Sequence, residues 1–334
     1  MAAAFTQATE DSGDSRLDIA GLPLYNAPVP GPSASPIHAT TRLCAVLGHP
    51  VRHSASPAMQ NAGLAALGLD WRYLAFDVDP QRLHEAIGGA AAMQFIGLNL
   101  TVPHKLIAMD LVDALDDSAR MWGAVNTVRF EGADAGGAWR PLGEFADAAP
   151  ERIRSHGFNT DAAAITRSIR EDLGVQLAGG RVLLLGAGGA GRTAALKLAS
   201  ENVSELHLVN RTPAKAEGIA AEIRKQFPSV NVSVGYPKGA VDLLLNATSL
   251  GLNATDASPL DSREFSPDRA GAVYDMIYRP AATPLLQAAQ AAGCRVANGL
   301  GMLLHQGAAA LELWTGRHAP IDVMREALRR NVYG

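Results

Sequence analysis

The sequence predicts an α/β protein of two domains, and three features of the chain support this prediction. From residue 42 onward, short apolar runs typical of strands alternate with Ala/Leu-rich stretches typical of helices, a pattern that produces βαβ units with parallel strands. The length of 334 residues suits two domains of about 100–200 residues each. A Gly-rich loop at residues 186–191 stands between a strand-like run and a helix-like run. We therefore expect two series of βαβ units.

The two series are separated by a polar stretch. The first comprises RLCAVLG, SPAMQNAGLAALG, WRYLAFDV, PQRLHEAIGGAAA, FIGLNLTV, PHKLIAMDLVDAL and AVNTVRF. Residues 131–156 are Gly-rich and polar, and we predict a long loop or insertion there. The second series comprises a helix over residues 160–173 and then RVLLLG, GRTAALKLAS, ELHLVN, PAKAEGIAAEIRKQF, VDLLLNA, AVYDMIY and TPLLQAAQAAG. The final stretches, MLLHQGAAALELW and IDVMREALRRNVY, are predicted to be helices.

Composition and charge exclude several classes of function. Hydrophobic residues make up 48% of the chain and charged residues 19%, which is typical of a globular protein. The 29 basic and 33 acidic residues give a net charge of −4, so the cationic surface of a nucleic-acid-binding protein is missing. No apolar run approaches the ~20 residues of a membrane span, and the N-terminus has no signal core. We expect a cytoplasmic protein that binds a small-molecule substrate, and neither nucleic acid nor membrane.

Two further features agree with this expectation. The chain has only two cysteines, Cys44 and Cys294, without the spacing that zinc requires, so both are predicted to be reduced thiols and no metal site is predicted. Residues 1–40 are rich in Pro and lack periodicity, and we predict a disordered or extended arm there.

The Gly-rich loop carries the clearest functional signal. Gly186, Gly188 and Gly191 satisfy GxGxxG between the runs RVLLL and GRTAALKLAS. The first Gly permits a tight turn, the second lets a pyrophosphate approach the backbone, and the third allows helix and strand to pack closely. This context predicts a Rossmann dinucleotide-binding domain. A P-loop nucleotide triphosphatase is the alternative, but Arg192 stands where that motif requires Lys.

The residues after the run ELHLV indicate which dinucleotide is bound. An NAD site usually has Asp or Glu there, which binds the ribose 2′-hydroxyl. This chain instead has Asn210, Arg211, Thr212 and, slightly later, Lys215. These side chains suit a 2′-phosphate, so the sequence favours NADP. In the alternative interpretation Arg211 is a solvated surface residue and Thr212 only caps the next helix.

Four polar stretches at the ends of apolar runs are candidates for the substrate site, because open α/β sheets bind ligands there. They are GHPVRHSASP, NLTVPHK, GAVNT and GFNTD, beginning at residues 48, 99, 123 and 157. Lys105 is expected in a first helical turn, whose positive end disfavours the ammonium form and so favours proton transfer. A solvated lysine, an N-cap at Ser56 and Asx or Thr turns are the alternative interpretations.

Together these stretches resemble the shikimate dehydrogenase family. The resemblance extends from Arg42 to the C-terminus through GHPVRHSASP, NLTVPHK, GAVNT, GFNTD, GAGGAGR, NRTPAK, NATSLG, YDMIYRPAATPLL and NGLGMLLHQG. It implies the reversible reduction of 3-dehydroshikimate to shikimate by NADPH, a step of aromatic amino acid biosynthesis. It also implies a substrate domain of residues 41–160 and 299–334, whose sheet is completed by the C-terminal helices, and a Rossmann NADP-binding domain of residues 161–298.

The resemblance further implies roles for individual residues. Lys105 is expected to be the acid/base, with Asp161 as its partner on the reacting hydroxyl. Ser54 and Ser56 are expected to bind the substrate carboxylate, and the rest of the ring is expected to contact Thr101, Asn126, Asp161, Tyr278 and Gln306. The residues expected to contact NADP are Gly186, Ala187, Gly188, Gly189, Ala190, Asn210, Arg211, Thr212, Lys215, Met276, Gly299 and Asp117.

The protein is expected to be a monomer or a homodimer. The sequence leaves two other functions open. A quinate or dual quinate/shikimate dehydrogenase differs at the carboxylate end of the pocket, since quinate has one more ring hydroxyl. A non-catalytic NADP-binding module needs the glycines but neither Lys105 nor Asp161. The chain also departs from the family pattern: Gln60 replaces a usual His, Trp122 a usual aliphatic residue and Ala162 a common Gly. The arm before Arg42 and the stretch 131–156 are longer than usual.

Overall fold

Two β-sheets organise the part of the chain that the computed structural model describes, residues 36–145, 150–253 and 255–334. One sheet has seven strands and lies within residues 42–158, and the other has six and lies within residues 181–298. The predicted α/β class is confirmed. Of the predicted N-terminal arm, residues 1–35 lie outside the described residues, and residues 36–40 are exposed and form neither helix nor strand.

The first sheet is mixed, with parallel pairs at both ends and antiparallel pairs around β5. Its strands are β1 (Arg42–Gly48), β2 (Trp71–Asp77), β3 (Gly97–Leu100), β4 (Ala114–Leu115), β5 (Thr127–Ala133), β6 (Trp139–Pro141) and β7 (Ile153–Phe158). Their order is β2-β1-β3-β5-β7-β4, with β6 paired to β5. Strand β1 is parallel to β2 and β3, as predicted, whereas β5 is antiparallel to β3, β6 and β7. The β5–β6 connection is too short for a parallel crossover, which needs about a dozen residues.

The prediction of a long loop over residues 131–156 is wrong for part of that stretch. It contains the end of β5, all of β6 and part of β7. Glu131, whose side chain is only 2% exposed, pairs with Arg129, Arg154 and His156. The polar residues that suggested a solvated loop therefore pair with one another on adjacent strands of the sheet.

Ten helices accompany the two sheets in the described part of the chain. They are α1 (Ser56–Ala66), α2 (Leu83–Ala92), α3 (His104–Ile107), α4 (Asp117–Trp122), α5 (Asp161–Leu173), α6 (Gly189–Ser200), α7 (Pro213–Gln226), α8 (Pro284–Ala291), α9 (Leu300–Thr315) and α10 (Ile321–Tyr333). The helical run predicted to begin at Pro103 is short, because α3 passes into a 3-10 turn at Ala108–Asp110 and then into β4. None of these helices combines the length and apolar character needed to span a bilayer.

Helices α1, α9 and α10 pack together against one face of the first sheet. The core there contains Met59 from α1, Tyr73 from β2, Trp314 from α9 and Leu328 from α10, all 1% exposed or less. The opposite face packs against α2 through residues such as Ile87. The C-terminal helices thus complete the layer over the first sheet, as the fold class predicted.

The second sheet has the doubly wound Rossmann arrangement. Its strands are β8 (Arg181–Leu185), β9 (Glu205–Val209), β10 (Asn231–Val234), β11 (Leu243–Asn246), β12 (Ala272–Asp275) and β13 (Arg295–Asn298). They run parallel in the order β10-β9-β8-β11-β12-β13. The order reverses between β8 and β11, and open sheets bind ligands outside the carboxyl ends of strands at such a point. The short edge strands β10 and β13 were not predicted.

Two helices connect the sheets and pack against each other. Helix α5 leads from β7 toward β8, and α9 follows β13 and returns the chain to the first sheet. Nε2 of buried His305 on α9 lies 2.8 Å from Glu171 Oε2 on α5. The contacts between these two helices fix the C-terminal turns of α5 relative to the N-terminal half of α9.

Candidate active site

A lysine and an aspartate from distant parts of the sequence meet at the centre of the candidate site. Lys105 Nζ donates to Asp161 Oδ2 at 2.7 Å. Lys105 lies on the single turn α3 just after β3, and Asp161 is the first residue of α5 just after β7. The Lys105 side chain is 30% exposed and that of Asp161 11%. The pair is therefore sheltered, yet the ammonium group remains accessible to a ligand.

Asn126 holds Asp161 in place. Its Nδ2 donates to Asp161 Oδ1 and to Thr160 Oγ1, both at 2.9 Å, and its Oδ1 accepts the Thr160 N–H at 2.7 Å. Asn126 is 1% exposed, so its amide is committed to these partners. Asn159 also braces this loop, since its Nδ2 donates to the Ala124 carbonyl at 3.0 Å. One carboxylate oxygen of Asp161 is thereby fixed by Asn126, and the other faces Lys105.

A buried polar chain extends from this pair toward α1. The sequence analysis did not single out Tyr73, and it placed Asn99 and Thr127 in candidate stretches without assigning them a role. Tyr73 Oη donates to Asn99 Oδ1 at 2.8 Å, and Asn99 Nδ2 donates to Thr127 Oγ1 at 3.0 Å. Burial raises the pKa of Tyr73 well above its ordinary value, while Cys44 raises it further and a hydrogen bond with Ser56 opposes the shift. The signal in the sequence was Asn99, a polar residue within the apolar run FIGLNLTV.

The residues expected at the substrate carboxylate lie at the start of α1. Ser54 Oγ accepts the Ser56 N–H at 3.3 Å, and Ala55 rather than Ser56 is the N-cap residue. Tyr278 also faces this turn. Burial raises the pKa of its hydroxyl, whereas the Arg279 charge and a hydrogen bond with the Ala55 backbone lower it. The structure therefore brings Ser54, Ser56 and Tyr278 together.

The two other predicted substrate residues lie on neighbouring elements. Thr101 directly follows β3. A Cβ on Gly48 would lie 2.4 Å from the Thr101 methyl group, so the two residues are in close contact. Gln306 is buried on α9 and donates from Nε2 to the Leu303 carbonyl at 2.8 Å. The next residue, Gly307, accepts a hydrogen bond at 2.9 Å from Gln60 on α1. Helix α9 thus places Gln306 beside the helix that begins at Ser56.

The glycine loop has the geometry that its spacing predicts. Gly186 has φ of +106°, a conformation that favours glycine, and a Cβ on Gly191 would lie 2.2 Å from the Gly186 carbonyl oxygen. Gly188 is the N-cap of α6, and a Cβ on Gly188 or Gly189 would meet no atom within 4 Å. Gly188, Gly189 and Ala190 are exposed. The N-terminus of α6 therefore presents open space and backbone donors to an anionic group.

The turn after β9 is joined directly to this loop. Asn210 Oδ1 accepts the Ala187 N–H at 3.0 Å, and Asn210 Nδ2 donates to the Thr212 carbonyl at 2.9 Å. Arg211, Thr212 and Lys215 are exposed, and the Thr212 side chain makes no capping hydrogen bond with α7. The turn thus offers two cations and a hydroxyl beside the glycine loop, which fits a 2′-phosphate.

Two of the three remaining NADP candidates lie together. A Cβ on Gly299 would lie 2.0 Å from the Met276 carbonyl oxygen, so only glycine permits this approach of the chain after β13 to the chain after β12. Asp117 is the exposed first residue of α4. It does not line the cavity between Lys105 and the start of α6.

One cavity, of about 250 Å³, joins the acid/base pair to the glycine loop. It is lined by Val102, Pro103, Lys105, Leu106, Ala124, Asp161, Gly189, Ala190 and Thr193. A larger cavity of about 820 Å³ lies between α2 and strands β1 and β2 and contains none of the predicted site residues. The described residues also include no cluster of three His, Cys, Asp or Glu side chains able to hold a metal ion. The smaller cavity is therefore the candidate active site, because the Lys105–Asp161 pair and the N-terminus of α6 both line it.

Comparison with known proteins agrees with this geometry. Family models match three segments, described as the shikimate dehydrogenase substrate binding domain (residues 46–128), shikimate / quinate 5-dehydrogenase (residues 168–248) and the shikimate 5′-dehydrogenase C-terminal domain (residues 299–329). A shikimate dehydrogenase (NADP(+)) of Methanopyrus kandleri is 40% identical over 301 residues, which cover 87% of this chain and 96% of that protein.

Solved structures show the same likeness. Shikimate 5-dehydrogenase from Thermus thermophilus, in complex with NADP(H) and shikimate, has a TM-score of 0.72 and 37% identity, covering 87% of this chain and 99% of that one. The ligand-free 5-ketofructose reductase of a Gluconobacter strain has a TM-score of 0.72 and 33% identity, covering 88% and 99%. On the family models and the high-coverage relatives, the chain belongs to the shikimate dehydrogenase family.

Proposed function

We propose that this protein is an NADP-dependent shikimate dehydrogenase, an oxidoreductase that reversibly reduces 3-dehydroshikimate to shikimate with NADPH. The observation that carries the proposal is the shared cavity, in which Lys105 and Asp161 face the N-terminus of α6. The curated relative and the solved shikimate complex support the same substrate and cofactor. This reaction places the protein in the shikimate pathway, and we propose a cytoplasmic enzyme that is a monomer or a homodimer.

The chain's own residues supply the proton chemistry. In the reduction, Lys105 Nζ donates a proton to the carbonyl oxygen, and in the oxidation it accepts the hydroxyl proton. Asp161 accepts a hydrogen bond from Lys105 and orients it toward the reacting oxygen. Asn126 restrains Asp161 through the other carboxylate oxygen. When bound, the nicotinamide supplies or accepts the hydride.

The substrate ring is proposed to lie between the first sheet and the start of α9. Ser54 and Ser56 bind its carboxylate through two short hydroxyl side chains, with Tyr278 beside them. Thr101, Asn126, Asp161 and Gln306 contact its hydroxyl groups. This assignment is supported by the buried positions of Ser56, Asn126 and Gln306, which are 7%, 1% and 9% exposed. The small serines leave the carboxylate end compact, which favours shikimate over quinate.

The cofactor is proposed to bind along the second sheet. Gly186, Ala187, Gly188, Gly189 and Ala190 are proposed to contact the pyrophosphate, while Asn210, Arg211, Thr212 and Lys215 hold the 2′-phosphate. The contacts of Met276 and Gly299 are proposed to lie farther along the cofactor, with Asp117 as an additional candidate. We place the domain boundaries at residues 160/161 and 298/299, a division supported by the start of α5 at Asp161 and of α9 at Leu300.

One spectrophotometric experiment tests the proposal. Purified protein is assayed with shikimate or quinate as the alcohol and NADP⁺ or NAD⁺ as the oxidant, in all four combinations. We expect the highest kcat/KM with shikimate and NADP⁺. A preference for quinate identifies the enzyme as a quinate dehydrogenase, and no turnover in any combination contradicts the proposal.

A further inference from the structure

Arg192, the fourth residue of α6, connects three helices at the back of the cavity. Its Nε and Nη2 donate to Glu222 on α7 at 3.0 and 2.5 Å, and its Nη1 donates to the carbonyl of Trp122 at the end of α4 at 2.7 Å. Glu222 thereby holds the guanidinium in the orientation that reaches Trp122. We call the contacts of Arg192 with Glu222 and Trp122 the Arg192 bridge.

Trp122 reinforces the bridge by packing into the core of the second sheet. Its side chain belongs to the hydrophobic cluster formed mainly by α5, α6, α7 and strands β8 to β12, although α4 precedes all of these elements in sequence. The residue is 7% exposed, and Lys197 Nζ lies 5.8 Å from the centre of its ring. The end of α4 is therefore attached to the glycine-loop helix by both apolar packing and a charge-assisted hydrogen bond.

The segment that begins at this attachment point supports both members of the catalytic pair. Gly123 has φ of +64°, and a Cβ there would lie 2.8 Å from Arg192 Nη1. Two residues later, the Val125 N–H donates to the Lys105 carbonyl at 2.9 Å. Asn126 comes next and holds Asp161 at 2.9 Å. A shift of Gly123 would therefore reach the backbone of Lys105 and the carboxylate of Asp161 together.

We propose that Arg192 is a positioning residue, which sets the distance between the cofactor loop and the Lys105–Asp161 pair by fixing residues 122–126 to the first turn of α6. This inference rests on the proposed function. The charge of Arg192 is paired with Glu222, and Arg192 does not line the cavity. Its contribution to the reaction is accordingly alignment of the hydride donor with the proton-transfer groups, and not binding of phosphate.

The test compares Arg192→Ala with Arg263→Ala as a matched control. Arg263 also pairs with a carboxylate of the second half of the chain, Asp261, but its side chain is 87% exposed. For each variant we would measure kcat for NADP⁺-dependent shikimate oxidation, the Kd of NADP⁺, and the primary isotope effect with shikimate deuterated at the oxidised carbon. Hydrogen exchange of the amides in residues 123–127 provides a readout that needs no turnover.

We expect Arg192→Ala to lower kcat by about 10- to 100-fold, because misplacement of about 1 Å has effects of this size. The isotope effect should rise, the Kd of NADP⁺ should change less than about threefold, and the Val125 amide should exchange faster. Arg192→Lys, which keeps the charge but loses the planar fork, should give an intermediate kcat. Arg263→Ala should match the wild type in every measurement.

Other outcomes are equally informative. A kcat within about twofold of wild type, or a loss explained entirely by weaker NADP⁺ binding with unchanged isotope effect and hydrogen exchange, overturns the positioning role. If Arg192→Ala does not fold, Glu222→Gln provides the same comparison, because Gln has nearly the volume of Glu. It should lower kcat less than Arg192→Ala, with the same rise in isotope effect and the same faster exchange of the Val125 amide. If the wild type does not oxidise shikimate, the proposed function fails, and faster exchange of residues 123–127 in Arg192→Ala still decides whether the bridge fixes that segment.

Discussion

The two sides of the cavity present different parts of the polypeptide to a ligand. On the side of the second sheet, the open N-terminus of α6 presents mainly backbone, and Gly186, Gly188 and Gly191 are suited to it because they lack a side chain. On the side of the first sheet, the groups are side chains, with Lys105, Asn126 and Asp161 held by one another. In the proposed function, phosphate recognition thus depends on a local turn, whereas proton transfer depends on residues brought together by the whole sheet.

A large difference between the two sides, in the effect on kcat compared with the effect on cofactor binding, is expected from the Asp161→Asn variant. Loss of the carboxylate charge removes the partner that orients Lys105, and we expect kcat to fall by about 100-fold or more. The Kd of NADP⁺, measured by fluorescence titration, should remain close to that of the wild type. Asp242→Asn, at an exposed ion pair with Arg181, is the control. A large rise in Kd would mean that the two sides are not separable in this way.

The complementary variant, Arg211→Asp, changes the cofactor side alone. A carboxylate in the exposed turn repels the 2′-phosphate, so the KM for NADP⁺ should rise by about 10-fold or more while the KM for NAD⁺ changes little. Steady-state kinetics with both cofactors would measure this shift. Arg329→Asp makes the same charge change on α10 and should leave the preference unaltered. If Arg211→Asp also leaves it unaltered, the 2′-phosphate is recognised elsewhere.

The contrast between the two sides also explains what the sequence could predict. The glycine loop and the turn at Asn210 were predictable because a few consecutive residues determine their geometry. The Lys105–Asp161 pair depended on the family resemblance, since the two residues are 56 positions apart and no spacing rule connects them. The hydrogen-bonded chain of Tyr73, Asn99 and Thr127 was not predicted, because its bonds form only when β2, β3 and β5 lie in one sheet.

The stretch 131–156 was misinterpreted for a similar reason. Some of its charges are paired across strands, and Glu131 on β5 shows this most clearly, since it pairs with Arg154 and His156 on β7. Burial alone would raise its pKa, but hydrogen bonds from His156, Arg129 and Arg154 outweigh that effect and lower the pKa to about 2. The polar composition therefore suggested a solvent-exposed loop, whereas in the structure neighbouring strands provide the ion-pair partners of these side chains.

This cluster leads to a prediction about stability and pH. Because the folded pKa of Glu131 is lowered from 4.5 to about 2, its ionised form stabilises the fold above the unfolded pKa, and that contribution disappears as the pH falls from about 5 to about 2. We expect Glu131→Gln to reduce the free energy of unfolding by about 2–3 kcal/mol at pH 7. Urea unfolding at pH 7 and pH 3 would measure it. A difference between wild type and variant that does not shrink at pH 3 would contradict this explanation.

The smallest expected effect concerns glycines without a structural requirement. Gly218 lies within α7, and a Cβ there would meet no atom within 4 Å. Gly218→Ala should therefore stabilise the protein by about 0.5–1 kcal/mol without a change in activity. In Gly191→Ala, by contrast, the Cβ would lie 2.2 Å from the Gly186 carbonyl oxygen, so both stability and NADP⁺ binding should fall. Thermal unfolding of the two variants distinguishes a required glycine from a permitted one.

Lys105 is proposed to transfer the proton while the opposite side of the cavity binds the cofactor, and the Lys105→Met variant tests this proposal most directly. Single-turnover oxidation of shikimate by NADP⁺ would be followed alongside cofactor titration, with Lys225→Met, an exposed lysine of α7, as the control. We predict that the rate of the chemical step falls by about 10²- to 10⁴-fold with the Kd of NADP⁺ within about twofold of wild type. A rate near that of the wild type, or a loss of cofactor binding equal to the loss of rate, would contradict the assignment.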